Sequence, residues 1–165
     1  MTVVLDLPYR RGVGVIVLNR EERIFVGRRI HSRTEAWQMP QGGIDPEEDA
    51  LTAAKRELEE ETGIRSITLL AKAPEILRYD LPEDLRAQVL GGCFRGQAQQ
   101  WYVFRFDGQD NEVNLHAHHA PEFIAWHWVD PSFIMGRVVS FKRPLYHHLL
   151  LEWLPSVLES EGARG

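Results

Sequence analysis

Residues 45–63, DPEEDALTAAKRELEEETG, limit the fold more than any other stretch, because they specify a helix at both of its ends. Asp45 is a natural N-cap, Pro46 suits the first helical position, and Glu48 stands three residues after the cap, as in a capping box. Gly63 is a natural stop, since it enters the left-handed backbone region without a Cβ penalty. The spacing predicts a helix over residues 46–62. Within it Glu57, Glu60 and Glu61 lie three and four apart and share one face, while Leu51 and Leu58 line a neighbouring stripe that can bury against a sheet. Ala50, Ala53 and Ala54 leave room for something bulky close to the carboxylates. Three like charges on one face repel by roughly a few tenths of a kcal/mol per pair in water, and by more when partly buried. A run of glutamates is most often a solvated face. The other arrangement that tolerates it is a bound divalent cation: hard Mg²⁺ prefers carboxylate oxygens, keeps part of its water shell and leaves positions for phosphate.

The rest of the chain supplies a sheet for such a helix. Residues 12–18 (GVGVIVL) and 23–27 (RIFVG) are short apolar runs rich in β-branched residues, with a polar, turn-length stretch at 19–22 between them. They predict a hairpin in a sheet buried on both faces. Residues 38–45 (QMPQGGID) read as a loop from their Pro and paired Gly. Strand-like runs follow at residues 67–71, 76–79, 101–106 and 125–129, and the polar stretch 81–97 reads as a long surface loop. Pro144 opens a last helix, in which Leu145, Leu149 and Trp153 recur at helical spacing. The five tryptophans, Trp37, Trp101, Trp126, Trp128 and Trp153, read mostly as core or strand packing. Strands interleaved with two helices predict an α/β chain, a mixed sheet sandwiched between helices. The chain has 165 residues, 44% hydrophobic and 26% charged, which is material for one domain, assigned to residues 1–158. Residues 159–165 are small or charged and are expected to form a disordered tail.

Charge and cysteine content exclude some functions. A formal net charge of −5 argues against a protein that wraps duplex nucleic acid, yet leaves room for recognition of a single nucleotide end by a few local cations. One cysteine, Cys93, rules out an internal disulfide and a cysteine-rich zinc site. His116, His118 and His119 form the remaining metal-like cluster, but their spacing is poor for zinc and they read better as part of a loop over the site. No signal-peptide pattern opens the chain and no membrane-length apolar run occurs, so the expectation is a soluble cytoplasmic protein.

The glutamate helix also lies in a longer frame. From residue 42 to residue 64 the sequence follows G-x5-E-x7-R-E-U-x-E-E-x-G-U, where U is a bulky aliphatic residue. Gly42, Glu48, Arg56, Glu57, Leu58, Glu60, Glu61, Gly63 and Ile64 fill all nine specified positions, a match far rarer by chance than about one in a million. This resembles the Nudix box without a departure. The resemblance implies the Nudix fold: an α/β/α sandwich with a central mixed β-sheet, the box forming a loop–helix–loop. It also implies that Glu57, Glu60 and Glu61 hold catalytic Mg²⁺ or Mn²⁺, with Gly42 lending its carbonyl. Arg56 and Glu48 would orient the metal carboxylates.

The flanks narrow the resemblance. Tyr9-Arg10, residues 37–43 (WQMPQGG), Arg78-Tyr79-Asp80, residues 96–102 (GQAQQWY), Pro121-Glu122-Phe123, Trp126-His127-Trp128-Val129 and Ser140-Phe141-Lys142-Arg143 are together similar to bacterial RNA pyrophosphohydrolases and the related asymmetric diadenosine-tetraphosphate hydrolases. Residues 91–96 (GGCFRG) are nearer the dinucleoside-polyphosphate enzymes, which keeps both substrate classes open. By resemblance Glu122 is a further catalytic and metal carboxylate. Arg10, Arg29 and Lys142 become candidates for phosphate contacts and Tyr79 and Phe141 for stacking on a base, with Gln97 and Val139 completing the pocket. The implied reaction removes pyrophosphate from the 5′-triphosphate end of RNA and leaves a 5′-monophosphate. The alternative is asymmetric cleavage of diadenosine tetraphosphate to ATP and AMP. A free-nucleotide pyrophosphatase and a binding module without catalysis are weaker rivals, the second because every box glutamate is present.

Overall fold

The computed structural model describes residues 7–30, 35–86, 90–118 and 120–164. Its centre is β1 (Tyr9–Leu18), which lies parallel to β7 (Gly96–Phe106) along ten in-register pairs from Tyr9↔Gly96 to Leu18↔Arg105. On its other side β1 meets β4 (Gln41–Gly43) near its start and β2 (Ile24–Arg29) at its end, both antiparallel. Next to β2 come β3 (Trp37–Gln38) and β8 (Phe123–Val129). Beyond β7 lie β6 (Leu77–Asp80), against its first residues, and β5 (Ile67–Lys72), against its last. The result is a mixed eight-stranded sheet.

Both faces are covered, which is why β1 and β2 read as nearly unbroken apolar runs rather than alternating ones. Val13, Val15 and Val17 point to one side, where they pack with Ala53, Ala54 and Leu58 of α1 (Ala50–Thr62). Ile16 and Leu18 point to the other, against Leu145, Tyr146, Leu149, Leu150, Leu154 and Val157. That second layer comprises α4 (Arg143–His147), one π-helical turn at His148–Trp153, and α5 (Leu154–Arg164). The expected α/β/α sandwich is the observed architecture. No helix among the described residues is long and apolar enough to cross a membrane.

Several local expectations need correcting. The helix predicted from residue 46 begins at Ala50. Glu47 has φ 69°, which breaks helical geometry ahead of it. Asp45 and Glu48 do bond reciprocally, the Glu48 amide to the Asp45 carbonyl at 3.0 Å and the Asp45 amide to Glu48 Oε1 at 3.0 Å. They close a turn before the helix instead of capping it. Residues 41–43, read as loop, are strand β4, because Gly42 and Gly43 pair with Val13 and Gly12. The stretch read as one long loop carries α2 (Glu83–Arg86) and a 3₁₀ turn at Leu90–Gly92, and its last residues already belong to β7. A short helix, α3 (Pro131–Met135), was not foreseen. The segment from Glu159 expected to be loose continues α5 to Arg164, since the helix is already anchored by Leu154 and Val157. Trp37 and Trp101 are buried, whereas Trp126, Trp128 and Trp153 are only partly so.

Candidate active site

The carboxylate face of α1 lies under β4, and glycine makes the approach possible. A Cβ on Gly42 would stand 2.0 Å from the Glu57 carboxyl carbon, so only glycine lets the strand pass over this side chain. Glu57, Glu60 and Glu48 are gathered by one guanidinium. Arg56 Nη1 donates to Glu57 Oε1 at 3.0 Å and to Glu60 Oε2 at 3.2 Å, while Nε and Nη2 grip both Glu48 oxygens at 2.8 and 2.9 Å. Nη2 also donates to the Gly43 carbonyl at 3.0 Å, tying helix to strand. The Arg56 guanidinium holds the Glu48 carboxyl at about 2, well below the usual range, with the Asp45 amide adding to the effect.

Glu61 is the exceptional member. It is 7% exposed, and its Oε2 accepts one long hydrogen bond, from the Gln41 amide at 3.3 Å. Burial pushes its carboxyl well above the usual range, and the charges of Glu57 and Glu122 push it further. Burial likewise raises Glu57, against the pull of Arg56. Glu122 is exposed and sits just before β8; its carbonyl accepts from the Ile30 amide at 2.9 Å, which pins it to the end of β2. A residue far along the chain thus brings its charge to the helix.

Cations and aromatic rings adjoin these acids. Arg10 on β1 lies against Gly43, where a Cβ would come 2.3 Å from Arg10 Nη2, and its charge is felt at Glu57 and Tyr79. Lys142 is 3% exposed, with Nζ donating to Gln38 Oε1 and Gln41 Oε1 at 3.2 Å each and lying 5.2 Å from the Tyr79 ring centre. Burial pushes its ammonium down to about 7, helped by the charge of Arg29 and opposed by Glu61. Arg29 is exposed at the end of β2. Tyr79, 7% exposed, receives a hydrogen bond from Gln41 Nε2 at 3.3 Å and meets the Phe141 ring at 5.8 Å and 38°. Gln97 stands in register between Arg10 and Tyr79. Val139, half-buried, accepts the Lys142 amide at 3.0 Å and so shapes the turn that carries Phe141 and Lys142.

Sequence reading missed Gln38 and Gln41, the acceptors of Lys142. Their signal was weak: two polar residues flanking Met39-Pro40 in a stretch read as loop. His116 and His118 are exposed, and His119 lies outside the described residues. Among the described residues no three acidic, histidine or cysteine side chains close on a common point as they stand, and Glu57 and Glu60 are both bonded to Arg56. The donor chemistry nonetheless fits a hard dication: all-oxygen, anionic, and including a buried carboxylate whose charge a single amide does not compensate.

Comparison with known proteins gives the family. The NUDIX domain model matches residues 8–149. The chain is 53% identical over 146 residues to an RNA pyrophosphohydrolase of Rhodospirillum rubrum, covering 88% of this chain and 87% of that one. It is 49% identical over 153 residues to an RNA pyrophosphohydrolase of Sphingopyxis alaskensis, covering 92% and 96%. Among solved structures, the E. coli dihydroneopterin triphosphate pyrophosphohydrolase superposes with a TM-score of 0.66 at 19% identity, over 87% of this chain and 98% of that one. A C. elegans Ap4A hydrolase binary complex gives 0.62 at 18%, over 85% and 94%. These two likenesses speak for the fold alone. Nudix hydrolases generally use divalent metals such as Mg²⁺ or Mn²⁺. A full box, the sandwich that presents it and a domain match across most of the chain lead to one statement: this protein belongs to the Nudix family of hydrolases.

Proposed function

We propose that this chain removes pyrophosphate from the 5′-triphosphate end of RNA in the cytoplasm, leaving a 5′-monophosphate. The observation that carries the reading is the burial of Glu61, with Glu57 and Glu122 near it and Arg10, Arg29 and Lys142 around Tyr79. Anionic groups with cations beside them fit a metal-bridged polyphosphate. The curated relatives at 49–53% identity bear the name RNA pyrophosphohydrolase, which favours an RNA end over diadenosine tetraphosphate.

Mg²⁺ or Mn²⁺ would be held by Glu57, Glu60, Glu61 and Glu122 with the Gly42 carbonyl; when bound it supplies Lewis acidity and orients a water for attack on phosphorus. The chain's own residues do the rest. Arg56 keeps Glu57 and Glu60 turned to one side of the helix, and the Gln41 amide aims Glu61. One of these carboxylates accepts the proton of the attacking water. Arg10 and Lys142 neutralise phosphate oxygens, which lowers the cost of negative charge on the departing pyrophosphate. Phe141, half-buried, offers a ring face to a base; Tyr79 is too deeply buried to offer much and serves as its backing.

The test is a substrate panel with Mg²⁺: 5′-triphosphate RNA, diadenosine tetraphosphate, free triphosphates and ADP-ribose, with products identified. The expected outcome is pyrophosphate and 5′-monophosphate RNA at the highest kcat/KM. A higher value for any other substrate overturns the assignment.

A further inference from the structure

One row of side chains leading into the pocket has no part in the chemistry above. Gln97, Gln99 and Trp101 alternate along β7 and so project to one side of the sheet. They are 5%, 0% and 0% exposed. Trp101 Nε1 donates to Gln99 Oε1 at 2.9 Å, and Gln99 Nε2 donates to Gln97 Oε1 at 2.9 Å. The direction of this relay follows from its first member. An indole N–H can only donate, so Gln99 must turn its oxygen to Trp101 and its amide group to Gln97. Gln97 must then accept with its oxygen, and its Nε2 becomes the free end. Among the described residues no group accepts from that nitrogen, and it is not sealed from solvent.

The neighbouring strand is shaped for this row. In register, Gly12 faces Gln99 and Gly14 faces Trp101. A Cβ on Gly12 would stand 2.7 Å from Gln97 Oε1, and one on Gly14 would stand 2.3 Å from the Trp101 ring. The two glycines of the GVG run leave space that Gln97 and Trp101, the two ends of the bonded row, occupy. The free end of the row sits between Arg10 and Tyr79, beside the candidate phosphate site.

We propose that Gln99, oriented by Trp101, is a positioning residue that makes Gln97 present an N–H donor, never its carbonyl, to a phosphate oxygen of the substrate. The proposal rests on the reading of this site as one for a 5′-triphosphate. A primary amide held only by packing fits either way round, and with its oxygen outward it would oppose phosphate lone pairs. The relay removes that second orientation before substrate arrives, so the pocket meets an anion with its donor already aimed.

The test reads KM for a 5′-triphosphorylated RNA across a double-mutant cycle of Gln99→Met and Gln97→Met, with melting temperatures recorded alongside. Gln99→Met keeps the volume and removes the donor, so Gln97 is free to turn; KM is expected to rise about tenfold while kcat holds within about twofold. In the Gln97→Met background the same change is expected to leave KM unmoved, because no amide remains to orient. Equal effects in the two backgrounds, or no effect in either, overturn the proposal. Gln99→Glu is the second arm and carries the test if Gln99→Met does not fold. Its carboxylate accepts from Trp101 but cannot donate, so Gln97 turns its oxygen outward and KM rises at least as far; an unchanged KM overturns the proposal. Should the native chain release no pyrophosphate from this RNA, the proposed function fails separately. The relay is then judged by the side-chain amide resonances of Gln97 during titration with inorganic triphosphate. They are expected to shift in the native chain and not in Gln99→Glu, and the same behaviour in both overturns the relay.

Discussion

Glu61 stands where a carboxylate is costly: buried, beside two other acids, with one long hydrogen bond. Its folded value lies above the ordinary one, so between the two the folded state binds the extra proton and stability falls as pH rises. Glu61→Gln removes this penalty. The metal-free variant is therefore expected to melt higher than the native chain at pH 8 in EDTA, while kcat drops by about a hundredfold or more. Added Mg²⁺ should raise the melting temperature of the native chain and not that of the variant. A metal-free variant that melts lower would remove the account of Glu61 as a strained ligand. Lys142 shows the opposite dependence. Its folded value, about 7, lies below the ordinary 10.5, so the unfolded state binds more protons between these values and stability rises with pH across that window. Below about 7 the ammonium is charged in both states and its burial penalty is fully present. Lys142→Met is expected to gain more in melting temperature at pH 6 than at pH 10, measured on the same preparation. The reverse order would contradict the burial seen here.

The helix α1 is held in its working position by its flanking residues as much as by its packing. Arg56 joins Glu48, Glu57, Glu60 and the Gly43 carbonyl, so one side chain sets the turn, the strand and two carboxylates together. Arg56→Met removes the guanidinium these acids share; the expected result is a melting temperature lower by several degrees and a fall in kcat larger than the change in KM, read by thermal melting and initial rates. At the other end Gly63 has φ 77°, and its amide donates to the Glu59 carbonyl at 2.8 Å. A Cβ there would also come within 3.0 Å of the Asn114 amide, which itself bonds Thr62. Gly63→Ala is expected to cost about 1–2 kcal/mol in denaturant unfolding with little change in KM. The last helical layer departs from a simple α-helix by one π turn at His148–Trp153, in which Leu149 and Leu150 are buried and Trp153 is only partly so.

Across the whole molecule the charge is unevenly used. The chain carries 24 acidic and 19 basic residues, yet Arg10, Arg29 and Lys142 converge around Tyr79, and Lys142 faces the buried Glu61. On the proposed function these three cations grip only the end of a strand, and the salt dependence is then expected to be shallow. The expected slope of log affinity against log salt for triphosphate RNA is about −2, from roughly 0.7 released counterions for each of three contacts. A slope several times steeper, measured by fluorescence anisotropy between low and physiological salt, would mean that much more of the RNA is bound than its end.

Residues 42–64 made the box helix, its glycine stop and its acidic face legible, because helical periodicity and end residues are local properties of the chain. The unbroken apolar runs at residues 12–18 and 23–27 likewise announced a sheet covered on both faces. The start of the helix at Ala50 was not legible, since it depends on Arg56 drawing Glu48 into a turn across eight residues. Nor was β4, whose glycines become a strand only by pairing with β1. The burial of Glu61 and Lys142, the arrival of Glu122's charge from beyond β2, and the aim of Gln97 along its relay are long-range facts. They follow from which strands lie side by side, and strand order is settled by the packing of the whole sheet, not by any stretch of residues within it.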